Sequence, residues 1–154
     1  MSESVSGLIQ IMLAPGIMIS ACGLLILGMN NKYSLVVNRI RLLNDERRRL
    51  RSEEEGKTAK KKRHKSIELQ IVKLNYRIFL VRNAVFSYSL AVAFFIISSL
   101  LIGLYQINSA TGVNWAVIVA FLAGMIFVFA GIVFAAFEVW KGYKIVQIEI
   151  TDLS

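Results

Sequence analysis

The chain has 154 residues, 56% of them hydrophobic, with 18 Lys or Arg against 10 Asp or Glu and a formal net charge of +8. That length suits one domain or a small membrane bundle, and a mean hydropathy of +0.59 lies on the apolar side of ordinary soluble domains. The placement of charge argues against a water-soluble fold. No charged side chain occurs from Ser4 to Asn31 or from Asn83 to Phe137, stretches of 28 and 55 residues, whereas every element of a soluble fold must turn some face to water.

Residues 1–31 hold the first apolar segment, Leu8 to Met29, about the 20 residues a helix needs to cross ~30 Å of hydrocarbon. The opening MSESVSG carries no Lys or Arg, so the positive region of a cleaved secretory signal is missing and the segment is expected to stay in the membrane. Pro15 interrupts it, and proline belongs in a helix's first turn rather than its interior. Two arrangements follow: one kinked span, or a short outer helix from Glu3 to Leu13 followed by a span starting near Pro15. The second is preferred. No Gly or Pro occurs between Gly28 and Gly56, which predicts that the span continues beyond the membrane as helix.

Residues 32–82 contain 16 of the 18 basic residues and six acidic ones. Tyr33, Val36, Ile40, Leu43, Arg47 and Leu50 alternate spacings of three and four, as do Ile67, Ile71, Leu74, Ile78 and Val81. That alternation puts side chains on one stripe and specifies an antiparallel coiled-coil hairpin. Arg51 to Ser66, with Gly56, reads as the turn, and the arms project about 25–30 Å. Glu53, Glu54 and Glu55 facing Lys60 to Arg63 across the tip would add little. The basic hairpin fixes topology, and its inner part is expected to meet anionic lipid headgroups. Its tip lies beyond a Debye length from the surface. No nucleic-acid module or aromatic platform accompanies the charge, so no nucleic acid is expected as a partner.

Residues 83–106 form the second span. Between Ala84 and Leu104 it holds 12 Leu, Ile, Val or Phe residues, which favour insertion by at most about 4–7 kcal/mol. Ser98 and Ser99 detract little, because a helix hydroxyl can bond back to a carbonyl of its own helix. An uncharged external loop, 107–114, leads to the third span at 115–140. The tail, 141–154, carries Lys141 and Lys144. The positive-inside rule then places the N-terminus outside and the hairpin and C-terminus in the cytoplasm. Tyr105 and Trp115 mark the outer boundary, Trp140 and Tyr143 the inner one. In the tail, Val146, Ile148 and Ile150 alternate with polar residues, a weak strand-like pattern that a partner's edge or a frayed end would also explain.

Small residues recur at helical spacing: Ala116, Ala120, Gly124, Gly131 and Ala135 in the third span, and Gly16 and Gly23 with Ser20 in the first. Lipid gives helix pairing no hydrophobic drive, so such residues mark packing seams within or between subunits. Glu138 and Arg82 fall at one membrane depth and are expected to pair. Pro15, Ser20, Asn30, Asn31 and Glu138 are the candidates for a solvent or ion path, although boundary amides also bond headgroups. Cys22 reads as a small packing residue, and its being the only cysteine excludes an intrachain disulfide. His64 has no second ligand near it, so no metal is expected. No nucleophile–base pair, phosphate loop or cofactor motif appears, and neither a cofactor nor enzymatic activity is expected.

Leu13-Ala14-Pro15-Gly16-Ile17-Met18-Ile19-Ser20-Ala21-Cys22-Gly23-Leu24-Leu25, followed by Asn30-Asn31 and Val37-Asn38-Arg39-Ile40-Arg41, resembles the bacterial membrane family called domain of unknown function 2721. The resemblance covers nearly the whole chain and implies a small protein of the bacterial inner membrane, with no assigned activity. The expected fold is an all-α membrane protein of three transmembrane helices, the first two extended into the hairpin. Three spans seldom enclose a path alone, so a homo-oligomer is expected. It would be channel-like, or a scaffold whose hairpin recruits a cytoplasmic protein.

Overall fold

A computed structural model of the chain describes residues 2–52, 57–108 and 113–151, with the side chains of residues 7, 9–49, 65–104 and 115–142. These residues form three helices: α1 (Ser2–Ser52), α2 (Lys57–Asn108) and α3 (Val113–Thr151). Each contains a stretch long and apolar enough to cross a membrane. At 1.5 Å per residue, the 51 residues of α1 extend about 75 Å, more than twice the hydrocarbon thickness. Most of each basic arm therefore lies beyond the apolar stretch of its own helix.

α2 is the middle helix; α1 and α3 each pack along it and barely touch one another. The clusters give the directions. Val36 and Leu43 meet Ile67 and Leu74, Met29 meets Val81, Ala84 and Tyr88, and Cys22 meets Ala91 and Phe95. Late α1 residues thus face early α2 residues, and the pair is antiparallel. α3 reverses again, setting Gly124 beside Phe95, Gly131 beside Tyr88 and Gly142 beside Arg77.

The buried positions obey one period. On α1 they are Pro15, Cys22, Met29, Val36 and Leu43, each seven residues after the last. On α2 they are Ile67, Leu74, Val81, Tyr88, Phe95 and Ile102, again by sevens, with a second row of Ala84, Ala91 and Ser98 and a third pair, Leu80 and Ser87, also seven apart. On α3 they are Ala120 and then Gly124, Gly131 and Glu138, the last three by sevens. A seven-residue repeat keeps one face of each helix against its neighbour over many turns. The rows on α1 and α2 continue from the apolar segments into the basic arms without a break.

Several expectations change. Pro15 does not separate two helices: it lies inside α1 and is fully buried. Its missing N–H leaves the carbonyl of Ile11 without its usual donor, yet the helix runs through, because packing from Pro15 onward supports it. The turn is also shorter than 51–66, since α1 reaches Ser52 and α2 starts at Lys57. The acidic and basic residues proposed to face each other across the tip lie outside the described side chains. α3 is helical to Thr151, so the alternation at its end is not a strand. Ser98 donates to the carbonyl of Val117 on α3 at 3.3 Å rather than to its own helix. Ser20 and Ser89 do bond back, to Gly16 and Val85.

The small residues divide. A Cβ on Gly124 would fall 2.7 Å from Phe95 Cε1, and one on Gly131 would collide with the Tyr88 ring. Phe94 and Phe127 stack nearby, with centroids 5.4 Å apart. Ala120 is buried, and Ala135 packs beside Met29 and Tyr88. These residues form the α2–α3 seam. By contrast, a Cβ on Gly16 or Gly23 meets nothing within 4 Å, and Ala116 is exposed. Gly23→Ala is therefore expected to leave the thermal unfolding midpoint of the detergent-solubilised protein unchanged or slightly higher, since alanine is the better helix former by about 1 kcal/mol. A drop would place a neighbour against that face.

Candidate functional site

The chemistry of the described residues concentrates at two places, a buried ion cluster where the arms leave the apolar segments, and the uncovered face of α1.

Glu138 is 1% exposed. It lies seven residues beyond Gly131 and fourteen beyond Gly124, so the row that seats α3 on α2 also aims this carboxylate inward. Oε2 accepts from Lys32 Nζ of α1 at 3.0 Å. Oε1 accepts from Arg77 of α2, through Nε at 3.1 Å and Nη2 at 2.5 Å. One side chain of α3 therefore ties together all three helices, at a level where α1 and α3 otherwise have little contact. The cations are only partly withdrawn from solvent, with 41% of the Lys32 side chain and 24% of the Arg77 side chain exposed. A carboxylate in a site of low dielectric is costly unless its oxygens are matched. Here both are, and no described side-chain nitrogen or oxygen is buried without a partner.

The expected pair of Arg82 with Glu138 does not form. Arg82 has the right depth, but it sits one residue past Val81 and its guanidinium lies over the Phe79 ring, 5.4 Å from the centroid. Arg77 lies seven residues before Ala84, on the buried α2 row whose Ser98 also bonds to α3. Direction around the helix, not depth, selects the partner. Lys32 was missed as well; it stands fourteen residues after Met18, which packs against the Cys22 cluster. Nearby, Lys141 Nζ lies 4.1 Å from the centroid of the Tyr76 ring, an attractive contact between a cation and a π face.

The other candidates are dispersed. Pro15 is buried, whereas Ser20, Asn30 and Asn31 are exposed on α1. Ile9, Met12, Leu13, Gly16, Ile17 and Ser20 line an open groove on that helix. Cys22 is a buried free thiol. No group of three His, Cys, Asp or Glu side chains suited to a metal gathers among the described residues.

The family described as Protein of unknown function (DUF2721) matches residues 12–148 of this sequence. No curated protein matches it, and no solved structure does.

Proposed function

The chain belongs to that family, DUF2721, whose description assigns no function, and from its own residues we propose that it works as a channel-like or transport homo-oligomer of the membrane. The observation that carries this reading is the exposure of Gly16, Ser20 and Gly23 within the apolar segment of α1, and of Asn30 and Asn31 at its inner end. Amides and glycines gain nothing from lipid tails; they suit a helix neighbour or water. Three helices in which α1 and α3 barely meet enclose no path by themselves, so a path requires several copies around an axis. The hairpin would be a cytoplasmic coiled coil, with the N-terminus outside. Glu138 is better suited to clamping than to conduction, since both its oxygens are held by cations.

Purified protein in liposomes is expected to pass ions down a gradient. Ser20→Leu, which places a bulky apolar group beside Gly16, is expected to reduce that flux at least tenfold without altering the unfolding midpoint. Absence of flux by the unaltered protein under every ion gradient tried would end this reading. One observation favours a scaffold instead: Leu69, Val72, Tyr76 and Phe79 stand exposed on the basic arm of α2 at spacings of three, four and three. If that row recruits a cytoplasmic protein, Leu69→Glu with Val72→Glu removes the partner and leaves the membrane assembly whole.

A further inference from the structure

α1 carries a second seam that no described part of the chain covers. Opposite the buried row run Ile17, Ala21, Leu24, Gly28, Asn31, Leu35, Asn38, Leu42 and Asp45, at spacings of four and three in strict alternation, and every one is exposed. Within the apolar segment, exposed leucine needs no explanation. Beyond Lys32 it does. Between Lys32 and Arg49 the helix carries Lys32, Arg39, Arg41, Asp45, Glu46, Arg47, Arg48 and Arg49, the composition of a water-facing surface. Yet Leu35 is 71% exposed and Leu42 64%. Leucines repeating at seven residues on a charged helix are the pattern of a coiled-coil contact face.

We propose that this seam packs against the same seam of a second copy of the chain, with the two α1 helices parallel and in register from Asn31 to Asp45. The inference rests on the homo-oligomer proposed above and specifies where its copies meet. One geometric argument and one observation select a second copy as the occupant. Helices anchored in one bilayer present identical residues at identical depth and in one direction, so Leu35 meets Leu35 and Leu42 meets Leu42. The amides of Asn31 and Asn38 make no side-chain bond to another described residue, and an amide, having both donor and acceptor groups, is complementary to its own copy. Buried amides in such a seam fix register at some cost in stability. Asp45, the last residue of the seam, makes no ion pair among the described residues; in-register pairing brings its two copies together, and Arg41, Arg47 and Arg48 of its own helix, which line one groove with it, offset the like charges. The remaining positive charge on the arms opposes association, so added salt should tighten it.

The test uses the full-length protein in bilayers, with Cys22→Ala as background and single cysteines introduced as Leu35→Cys, Leu42→Cys, Arg41→Cys and Val72→Cys. A disulfide requires Cα atoms within about 7 Å. Mild oxidation is expected to convert most of the Leu35→Cys and Leu42→Cys protein to covalent dimer and to leave the Arg41→Cys and Val72→Cys protein monomeric. When Leu35→Cys and Leu42→Cys chains are co-expressed with distinguishable tags, like should link to like. Links at Arg41 or Val72 in place of the leucines, mixed links, or capture of a different protein at Leu35 would each overturn the proposal. Particle mass in detergent provides a readout free of cysteine chemistry. Leu35→Glu with Leu42→Glu, both exposed in the single chain, should weaken association at least tenfold, and an undiminished mass would overturn the proposal. Particles of several copies with no leucine links would sink this interface and leave the homo-oligomer standing. A single copy per particle would sink both.

Discussion

Glu138→Ala is expected to produce the largest loss of stability among single charge removals in the described part of the chain. Its carboxylate accepts three hydrogen bonds from two helices while being 1% exposed itself. Removing one member of a buried ion cluster typically costs about 3–5 kcal/mol, because the remaining charges keep their burial and lose their partner. Lys32 and Arg77 remain 41% and 24% exposed and recover some hydration, so the lower end of that range is expected. Thermal unfolding in detergent provides the measurement. Glu138→Gln should fall between wild type and Glu138→Ala, since an amide oxygen can still accept from one cation. The control is Arg82→Ala: with its guanidinium over Phe79, it should change stability by about 1 kcal/mol or less. Equal losses from Arg82→Ala and Glu138→Ala would contradict this account of the cluster.

The second large effect belongs to Gly131. The Tyr88 ring occupies the space a Cβ would need, and Tyr88 is 1% exposed, so the ring has nowhere to swing. Gly131→Leu must push α3 away from α2 or force the ring off its rotamer. Overpacking of this kind costs about 1–3 kcal/mol, occasionally more. Separating the helices would also strain the Glu138 cluster seven residues on. The midpoint is expected to fall well below wild type, with Gly131→Ala intermediate. Gly124→Leu, against Phe95, should behave similarly. Tyr88→Ala combined with Gly131→Leu should recover part of the loss, because the pair restores space across the seam. If Gly131→Leu unfolds at the wild-type temperature, the two helices do not approach as described.

Much of the fold was legible in the sequence because it depends on one-dimensional signals. Uncharged runs marked the three apolar helices, and the spacing of Val36, Ile40 and Leu43 with Ile67, Ile71 and Leu74 marked the residues that meet between α1 and α2. The candidate site was less legible, since it depends on where each helix points. Depth alone suggested Arg82; extending the sevenfold row of Ala84, Ala91 and Ser98 backwards leads to Arg77. The same row on α3 would have grouped Gly124 and Gly131 with Glu138. Pro15 was misjudged because local propensity speaks for a break, while packing further along α1 keeps the helix whole. Ser98 was assigned to its own helix because nothing in a single sequence reveals which carbonyl of another helix lies within reach.

The unbroken rows also constrain how the molecule can change length. Each residue added to one arm rotates everything beyond it by about 100°. One extra residue near Leu43 would put Met29 and Cys22 out of phase with α2 and swing Lys32 away from Glu138, although the insertion lies several turns from either. Seven residues added to each arm would restore the phase and simply lengthen the rod. Deletions and insertions in the charged arms are therefore felt inside the apolar layer, with tolerance returning only in matched steps of seven.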